Sequence, residues 1–295
     1  MKDNNGEIFQ NIHEIALKNE TFRSRSMKRY SLDELGFSSI ENNVCCVFGC
    51  GAGGTEILNL LNLGAKFVHG IDLIPEYVPT TENELKGFEN KYKLTVGSIV
   101  TNPYEDEMFD FVTCNGVIHH IDKDFEALQQ ISRTVKKGGH AYLEVAGKGG
   151  IIDEFVKGTL RNSYAKDDSF KEIIDNLSLE KIQKGIAWIK QEIRDDKTES
   201  YKQSINILDN ISDLIDIDFV QCVLDRMQAP LYKGYTQKEF ESMLTEAGFT
   251  SWRRISRKPN YNNIRKLATP FYALHDNLYS KLLYGDGQLS MMCKK

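Results

Sequence analysis

Five short apolar runs, separated mostly by segments of helical periodicity, limit this fold more than any other feature of the chain. VCCVFG (44–49), KFVHGIDL (66–73), KLTVGSI (93–99), FDFVTCNGVI (109–118) and AYLEVAG (141–147) are too short for helices and too apolar for strands with one wet face. Such runs suit strands buried on both faces. TEILNLLNLG (55–64) repeats leucine and isoleucine at helical spacing and stops at Gly64. Residues 81–88 can form a helix, and DKDFEALQQISRTVKKGG (122–139) has an acidic start and a basic, glycine-rich finish that suits a helix dipole. Asp122 is the expected N-cap of that helix. The alternation calls for a parallel sheet with helices on both faces.

After about Gly150 the pattern changes. Residues 151–234 are dominated by helical patterns such as LEKIQKGIAWIKQEI. YTQKEFESMLTEAGF (235–249) then restores a helix stopped by Gly248, TSWRRIS (250–256) reads as a strand, 258–286 is polar and aromatic, and QLSMMC (288–293) closes as a last strand. The organisation expected is an N-terminal helical arm (1–40), a cofactor-binding core (41–150), a helical cap insertion (151–234) and a C-terminal part of the core (235–295) with an inserted loop at 258–286. The basic run through Arg23, Arg25, Lys28 and Arg29 reads as a solvated face.

Composition narrows the class. In 295 residues, 37 basic and 42 acidic side chains give a net charge of −5, which does not favour a nucleic-acid binder. No apolar run reaches the roughly 18 residues of a membrane-spanning helix, and the first residues are too polar for a secretory signal. The six cysteines are sparse, and Cys45, Cys46, Cys114 and Cys293 lie in apolar strands. They read as buried free thiols in a cytoplasmic protein rather than a disulfide framework.

The chemistry gathers at the strand ends. GCGAGG (49–54) is a glycine-rich strand-to-helix turn that lets backbone approach a ligand, and Asp72 ends the next strand, where an acid can accept from both ribose hydroxyls. Gly49, Gly51 and Gly54 also satisfy GxGxxG, so an NAD(P)-dependent oxidoreductase stays open. The fourth strand ends in Asn115, followed by His119 and His120, on the edge where ligands bind in open α/β sheets.

These segments, in this order, resemble the class I S-adenosylmethionine-dependent methyltransferases. VFGCGAGG looks like their first motif and GIDL like their ribose-binding motif. MFDFVTCNGVIHHIDKDFEALQQISRTVKKGGHAYLEV is similar to their fourth and fifth strands with the connecting helix, and YTQKEFESMLTEAGFTSWRRI to the helix–strand pair of small-molecule members. The resemblance implies a Rossmann-like, seven-stranded, mostly parallel sheet with helices on both faces and a helical cap. It implies S-adenosylmethionine as cofactor, with Gly49, Gly51 and Gly53 along the methionine part and Asp72 on the ribose. Leu73 would pack on the adenine with Ser98 and Ile99 at its edge, and Asn115 would border the sulfonium. Two departures stand out: many members carry an acid where this chain has Val47, and an aspartate where it has Ser98. Both remove charge-assisted contacts and predict weak cofactor affinity. A module that keeps the fold without catalysis is the corresponding alternative.

Methyl transfer needs an acceptor atom held in line, about 3 Å from the methyl carbon, and a base if that atom arrives protonated. His120, with His119 behind it, is the candidate base. No histidine and cysteine spacing suggests a metal site. The cap reads as a lid that shapes a pocket for a small-molecule acceptor, with Tyr164, Trp188, Tyr201, Arg226, Tyr232 and Tyr235 as candidate lining residues; its helices could instead pad the fold or make a homodimer contact. SWRRISRKPNYNNIRK (251–266) could grip phosphate or nucleic acid, but reads better as a strand and a solvated loop. CNGVIHH lacks the Asn-Pro-Pro-Tyr-like run of RNA and protein methyltransferases.

Overall fold

The structure, a computed structural model, describes residues 9–10, 30–193, 199–256 and 261–295. Most of the 1–40 arm, with its basic run, and Arg257 and Lys258 of the basic segment lie outside the described residues.

Seven strands form one sheet in the order β3-β2-β1-β4-β5-β7-β6. They are β1 (Val44–Phe48), β2 (Phe67–Asp72), β3 (Tyr92–Val96), β4 (Phe109–Asn115), β5 (Val135–Ala146), β6 (Ser251–Arg254) and β7 (Gln288–Lys294). The first five run parallel, and β7 is antiparallel to both β5 and β6. This is the seven-stranded, mostly parallel sheet that the family resemblance implies, and its five parallel strands are the five apolar runs.

The alternation of side chains along β1 explains why it is apolar throughout. Cys46 and Phe48 enter one core, with Ile131 of α4 (Asp124–Thr134) and Phe240 of α9 (Gln237–Glu246). Cys45 and Val47 enter the other, with Leu35 of α1 (Leu32–Leu35) and Ile57 and Leu60 of α2 (Thr55–Asn62). All four β1 side chains are fully buried. The adjacent cysteines are therefore packing residues, and all six cysteines are free thiols.

Three local expectations are corrected. The helix after β2 is α3, Tyr77–Glu84, rather than 81–88. Pro79 is accommodated in its first turn, where backbone N–H groups need no helical partner, and the chain has left the helix before Gly87, whose φ is +93°. Asp122 is not the cap of α4: Lys123 holds that position without a side-chain cap, and Asp124 opens the helix. Lys-Lys-Gly-Gly is not the helix end either. Helix α4 stops at Thr134, and Val135 already pairs with Phe109 as the start of β5. β-Branched Thr134 and Val135 mark the switch from helix to strand.

The cap is helical. An irregular helical stretch over 151–166, containing a π-helical segment, leads into α5 (Asp168–Asp175), α6 (Leu179–Glu192), α7 (Glu199–Leu214) and α8 (Ile217–Gln228). Ile174, Val220, Leu224 and Met227 give it a small core of its own. Within the expected 258–286 loop, the described residues 261–286 are more ordered than a solvated loop, with helical turns at Ile264–Ala268 and Thr269–Ala273 and helix α10 (Leu278–Tyr284). Three arginines of the basic segment 251–266 are engaged internally. Arg253 donates to the Glu34 carbonyl at 2.6 Å, Arg254 to the Asp286 carbonyl at 2.6 Å, and Arg265 pairs with buried Asp218 at 3.2 Å.

Both excursions from the core pass through one neck. The Gly147 N–H donates to Gly287 at 2.5 Å, Tyr235 to Ala146 at 3.0 Å, Lys148 to Tyr235 at 3.0 Å and Asp286 to Lys148 at 3.1 Å. Backbone lies on backbone here: a Cβ on Gly147 would sit 2.1 Å from the Gly287 oxygen. Among the described residues no helix is long and apolar enough to cross a membrane.

Candidate active site

The glycine turn forms because β1 ends in a tight bend that only glycine adopts easily. Gly49 has φ +72°, and its N–H and that of Cys50 both donate to the Ile71 carbonyl, at 2.8 and 3.1 Å. Asp72 organises the next part of the turn: its Oδ2 accepts from the Gly51 N–H at 2.8 Å and its Oδ1 from Ile74 at 3.1 Å. Thr81 of α3 donates to the Gly51 carbonyl at 3.4 Å. The turn is thus held open by its own neighbours, with Asp72 beside it. Leu73 is 55% exposed next to Asp72. The Ser98 hydroxyl accepts from the Val100 N–H at 3.2 Å, while Ile99 is packed into the sheet's core with Phe48 and Tyr104. A cleft lined by Cys50, Asp72, Ile74, Tyr77 and Val96 opens beside them.

Asn115 ends β4 and brings in a residue that the sequence does not advertise. Its side-chain amide donates to the Glu56 carboxylate, which also accepts from the Tyr30 hydroxyl at 2.9 Å. Glu56 stands in the first turn of α2 and is only 8% exposed. The helix's positive end favours a carboxylate there. No cation is paired with Glu56 among the described residues, and the Asn115 Oδ1 is buried without a hydrogen-bond partner. A carboxylate and an orphaned acceptor side by side describe a place for a cationic donor. On the same face, fully buried Glu144 accepts from Tyr142 at 3.2 Å and from Ser290 at 2.9 Å, and the Tyr142 ring packs 5.1 Å from that of Tyr30.

The two histidines follow β4 on a single 3-10 turn, Ile118–His120. They are not equivalent. His119 is buried, and its Nδ1 accepts from the Ala146 N–H at 3.4 Å. His120 is half-buried with Nδ1 2.8 Å from the Leu231 carbonyl. A carbonyl can only accept, so His120 carries its proton on Nδ1 and keeps the Nε2 lone pair. Burial lowers the His120 pKa below the ordinary imidazole value and Arg161 adds to this, against the opposing effects of Asp225 and the Leu231 carbonyl. The rings of His119 and His120 lie 5.1 and 5.3 Å from that of Tyr232, and the Arg161 guanidinium stands 5.7 Å over the same ring.

Of the six residues proposed to line the cap, Tyr232 faces the histidines and Arg226 belongs to its surroundings. Tyr235 instead bonds to Asp124 at 2.6 Å in the core, Tyr164 packs against the cap's own small core and bonds to Asp175 at 2.6 Å, and Trp188 is exposed. Tyr30, Glu56 and Arg161 are the site's neighbours that motif reading misses. Among the described residues, no group of three His, Cys, Asp or Glu side chains is placed to hold a metal ion.

A glycine turn at the end of β1, an acid at the end of β2 and a polar edge after β4 define a nucleotide-cofactor site on a Rossmann-like sheet. Comparison with known proteins carries this further. Residues 47–143 match the family model described as a methyltransferase domain. The uncharacterized methyltransferase YcgJ of Bacillus subtilis is 28% identical over 131 residues, 42% of this chain and 51% of that protein. The chain spans about half the length of the curated relatives it matches. PKMT2 from Rickettsia typhi has a similar structure, at TM-score 0.56 and 14% identity over 92% of this chain and 53% of that one. An S-adenosylmethionine-dependent methyltransferase from Mesorhizobium loti matches at TM-score 0.50 and 10% identity, over 90% and 95%. These structures share the fold. The matched segment, residues 47–143, is a methyltransferase domain, and the sheet that carries it has the fold of S-adenosylmethionine-dependent methyltransferases.

Proposed function

We propose that this protein transfers a methyl group from S-adenosylmethionine to an oxygen or nitrogen of a small-molecule acceptor, as a cytoplasmic biosynthetic enzyme. The observation that carries the reading is the His120 clamp: an imidazole kept neutral by burial, its Nδ1–H held by Leu231, with a basic Nε2 at the sheet edge that bears the glycine turn. The six free thiols fit a reducing compartment.

The residues present fit the cofactor. Gly49, Gly51 and Gly53 would lie along its methionine part, Asp72 would take the ribose, Leu73 would cover the adenine, and Ser98 and Ile99 would border it. Asn115 would stand at the sulfonium end. Glu56, with the orphaned Asn115 Oδ1, offers the methionine ammonium the carboxylate that Val47 cannot. The cofactor, when bound, supplies a methyl group on a positively charged sulfur, already activated for in-line displacement. What remains for the chain is to position the acceptor atom, which can contribute about 7–11 kcal/mol, and to receive a proton at His120 Nε2. His119, its Nδ1 engaged by the Ala146 N–H, would orient rather than take protons.

The test is calorimetric titration of the purified protein with S-adenosylhomocysteine and, separately, with NADH. Binding of the former alone, followed by methylation of a member of a small-molecule acceptor panel, is the expected result. Binding of NADH alone would return the site to an oxidoreductase, and binding of neither would leave a silent module.

A further inference from the structure

The Leu231 carbonyl that accepts from His120 lies in neither a helix nor a strand, so no ladder of backbone bonds fixes its place. What holds it is a strap. Residues 231–235 run along the loop 119–124 that carries the histidines, and Lys233 ties the two together. Its N–H donates to the His119 carbonyl at 2.9 Å. Its ammonium donates to the Asp122 carbonyl at 2.6 Å and pairs with Asp124 Oδ1 at 3.0 Å. These acceptors bracket His120 in the sequence.

Asp124 is placed to keep that ammonium. It opens α4, where the positive end of the helix favours a carboxylate. Its other oxygen, Oδ2, accepts from the Tyr235 hydroxyl at 2.6 Å, so each oxygen holds one residue of the strap. Burial disfavours the charged carboxylate, but the bonds from Tyr235 and Lys233 outweigh it and hold the carboxyl below the usual carboxylate range. The side chains of Lys233 and Asp124 are 30% and 18% exposed, so the pair is partly shielded from water and is stronger than a surface bridge. On the other side of Leu231, Arg161 donates to the Ala229 carbonyl at 2.9 Å. Leu231 is thus fastened to the cap before it and to the β4 loop after it.

The protonation of His120 follows from this fastening. Which imidazole nitrogen carries the proton is set by the bond the other makes. With the Leu231 carbonyl in place the proton sits on Nδ1 and Nε2 keeps its lone pair. With the carbonyl withdrawn, the ring reverts to the Nε2–H form that histidine favours in water, and an Nε2–H donates but cannot accept. We infer that Lys233 is a positioning residue for methyl transfer: acting through the Leu231 carbonyl, it keeps His120 Nε2 free to take a proton. Its part in the reaction rests on the reading of His120 as the base; its hold on the tautomer does not.

The experiment reads the tautomer directly, from nitrogen–proton correlation spectra of the imidazoles in the full-length protein without ligand. The pH is one at which His120 is neutral, and its signals are assigned by their loss in His120→Ala. The wild type is expected to show Nδ1–H. Lys233→Met is expected to move His120 toward Nε2–H while S-adenosylhomocysteine affinity stays unchanged. With the acceptor that the panel identifies, it should lower kcat about tenfold or more, a part of the worth of a positioned base. Lys184→Met, which removes an exposed ion pair with Glu180 elsewhere in the cap, is expected to change none of these. An Nε2–H wild type, an Nδ1–H form that persists in Lys233→Met, or an equal shift in Lys184→Met overturns the inference and leaves methyl transfer standing. A tautomer that moves in Lys233→Met while His120→Ala turns over at the wild-type rate removes His120 as the base instead. Should Lys233→Met fail to fold, Asp124→Asn, which abolishes the ion pair, decides by the same tautomer criteria.

Discussion

The Leu231 carbonyl accepts the Nδ1–H of His120 at 2.8 Å, so a residue at the end of the cap fixes the tautomer of a histidine at the end of β4. His120→Ala is expected to lower kcat by about 10²–10⁴-fold, the usual worth of a positioned base, and to leave S-adenosylhomocysteine affinity unchanged. Steady-state kinetics beside calorimetry checks this; unaltered turnover removes His120 from the reaction.

The same histidine predicts a pH profile. Burial and Arg161 hold the imidazole neutral below its ordinary titration range. The base form therefore persists as pH falls, and the acid limb of kcat/KM should lie below the ordinary imidazole value. An acid limb at or above that value contradicts the assignment.

Glu56 gives the third prediction. Glu56→Gln should weaken S-adenosylhomocysteine by about tenfold, in line with roughly 1.5–3 kcal/mol for a hydrogen bond to a charged group. An analogue lacking the amino group should bind wild type and variant alike. If the variant weakens both ligands equally, Glu56 acts on the turn rather than on the ammonium.

Gly49 is constrained twice. A Cβ there would lie 2.5 Å from Val117 Cγ2, and φ is +72°. Gly49→Ala should lower both thermal stability and cofactor affinity. Adding Val117→Ala should restore the steric part and leave about 1–2 kcal/mol for the left-handed backbone. Full recovery in the double variant would falsify the backbone argument.

Acid stability turns on His69. It packs 5.5 Å from Tyr104 and 5.4 Å from Phe109, its Nδ1 is buried without a partner, and burial, reinforced by Lys93, lowers its pKa to about 4. The unfolded chain binds this proton near pH 6.5 and the folded chain only near 4. Stability is therefore intact above that window and falls as pH drops through it. His69→Phe should flatten the melting temperature over this range; an unchanged slope points to other groups.

The parts of the site legible in the sequence are those built by adjacent residues. The glycine turn, Asp72 and the Asn115–His120 run each lie within one strand end, where the local pattern fixes the backbone and the sheet order brings them together. Glu56 was not legible because a glutamate in the first turn of TEILNLLN looks like a dipole-matched surface residue. Only the fold shows it turned inward beneath Tyr30 and against Asn115. Tyr232, Leu231 and Arg161 reach the histidines from irregular backbone far along the chain, and no periodicity encodes that. Lys-Lys-Gly-Gly misled for a related reason: a helix-ending composition also suits a strand that opens with a tight turn, and pairing with Phe109 decides between them.

The glycine neck at Gly147 and Gly287 has a consequence for how such a protein could be rebuilt. The cap enters and leaves the core at this main-chain crossing and otherwise meets it through contacts such as that of Leu231 with His120, so the chain above can lengthen, shorten or be exchanged where those contacts and the register of β5 against β7 are kept. The scaffold then behaves as a handle with an interchangeable head. A transplanted insertion joined at residues 147–150 and 234–235, with a carbonyl kept opposite His120, should change which molecules are accepted without rebuilding the half that holds the nucleotide.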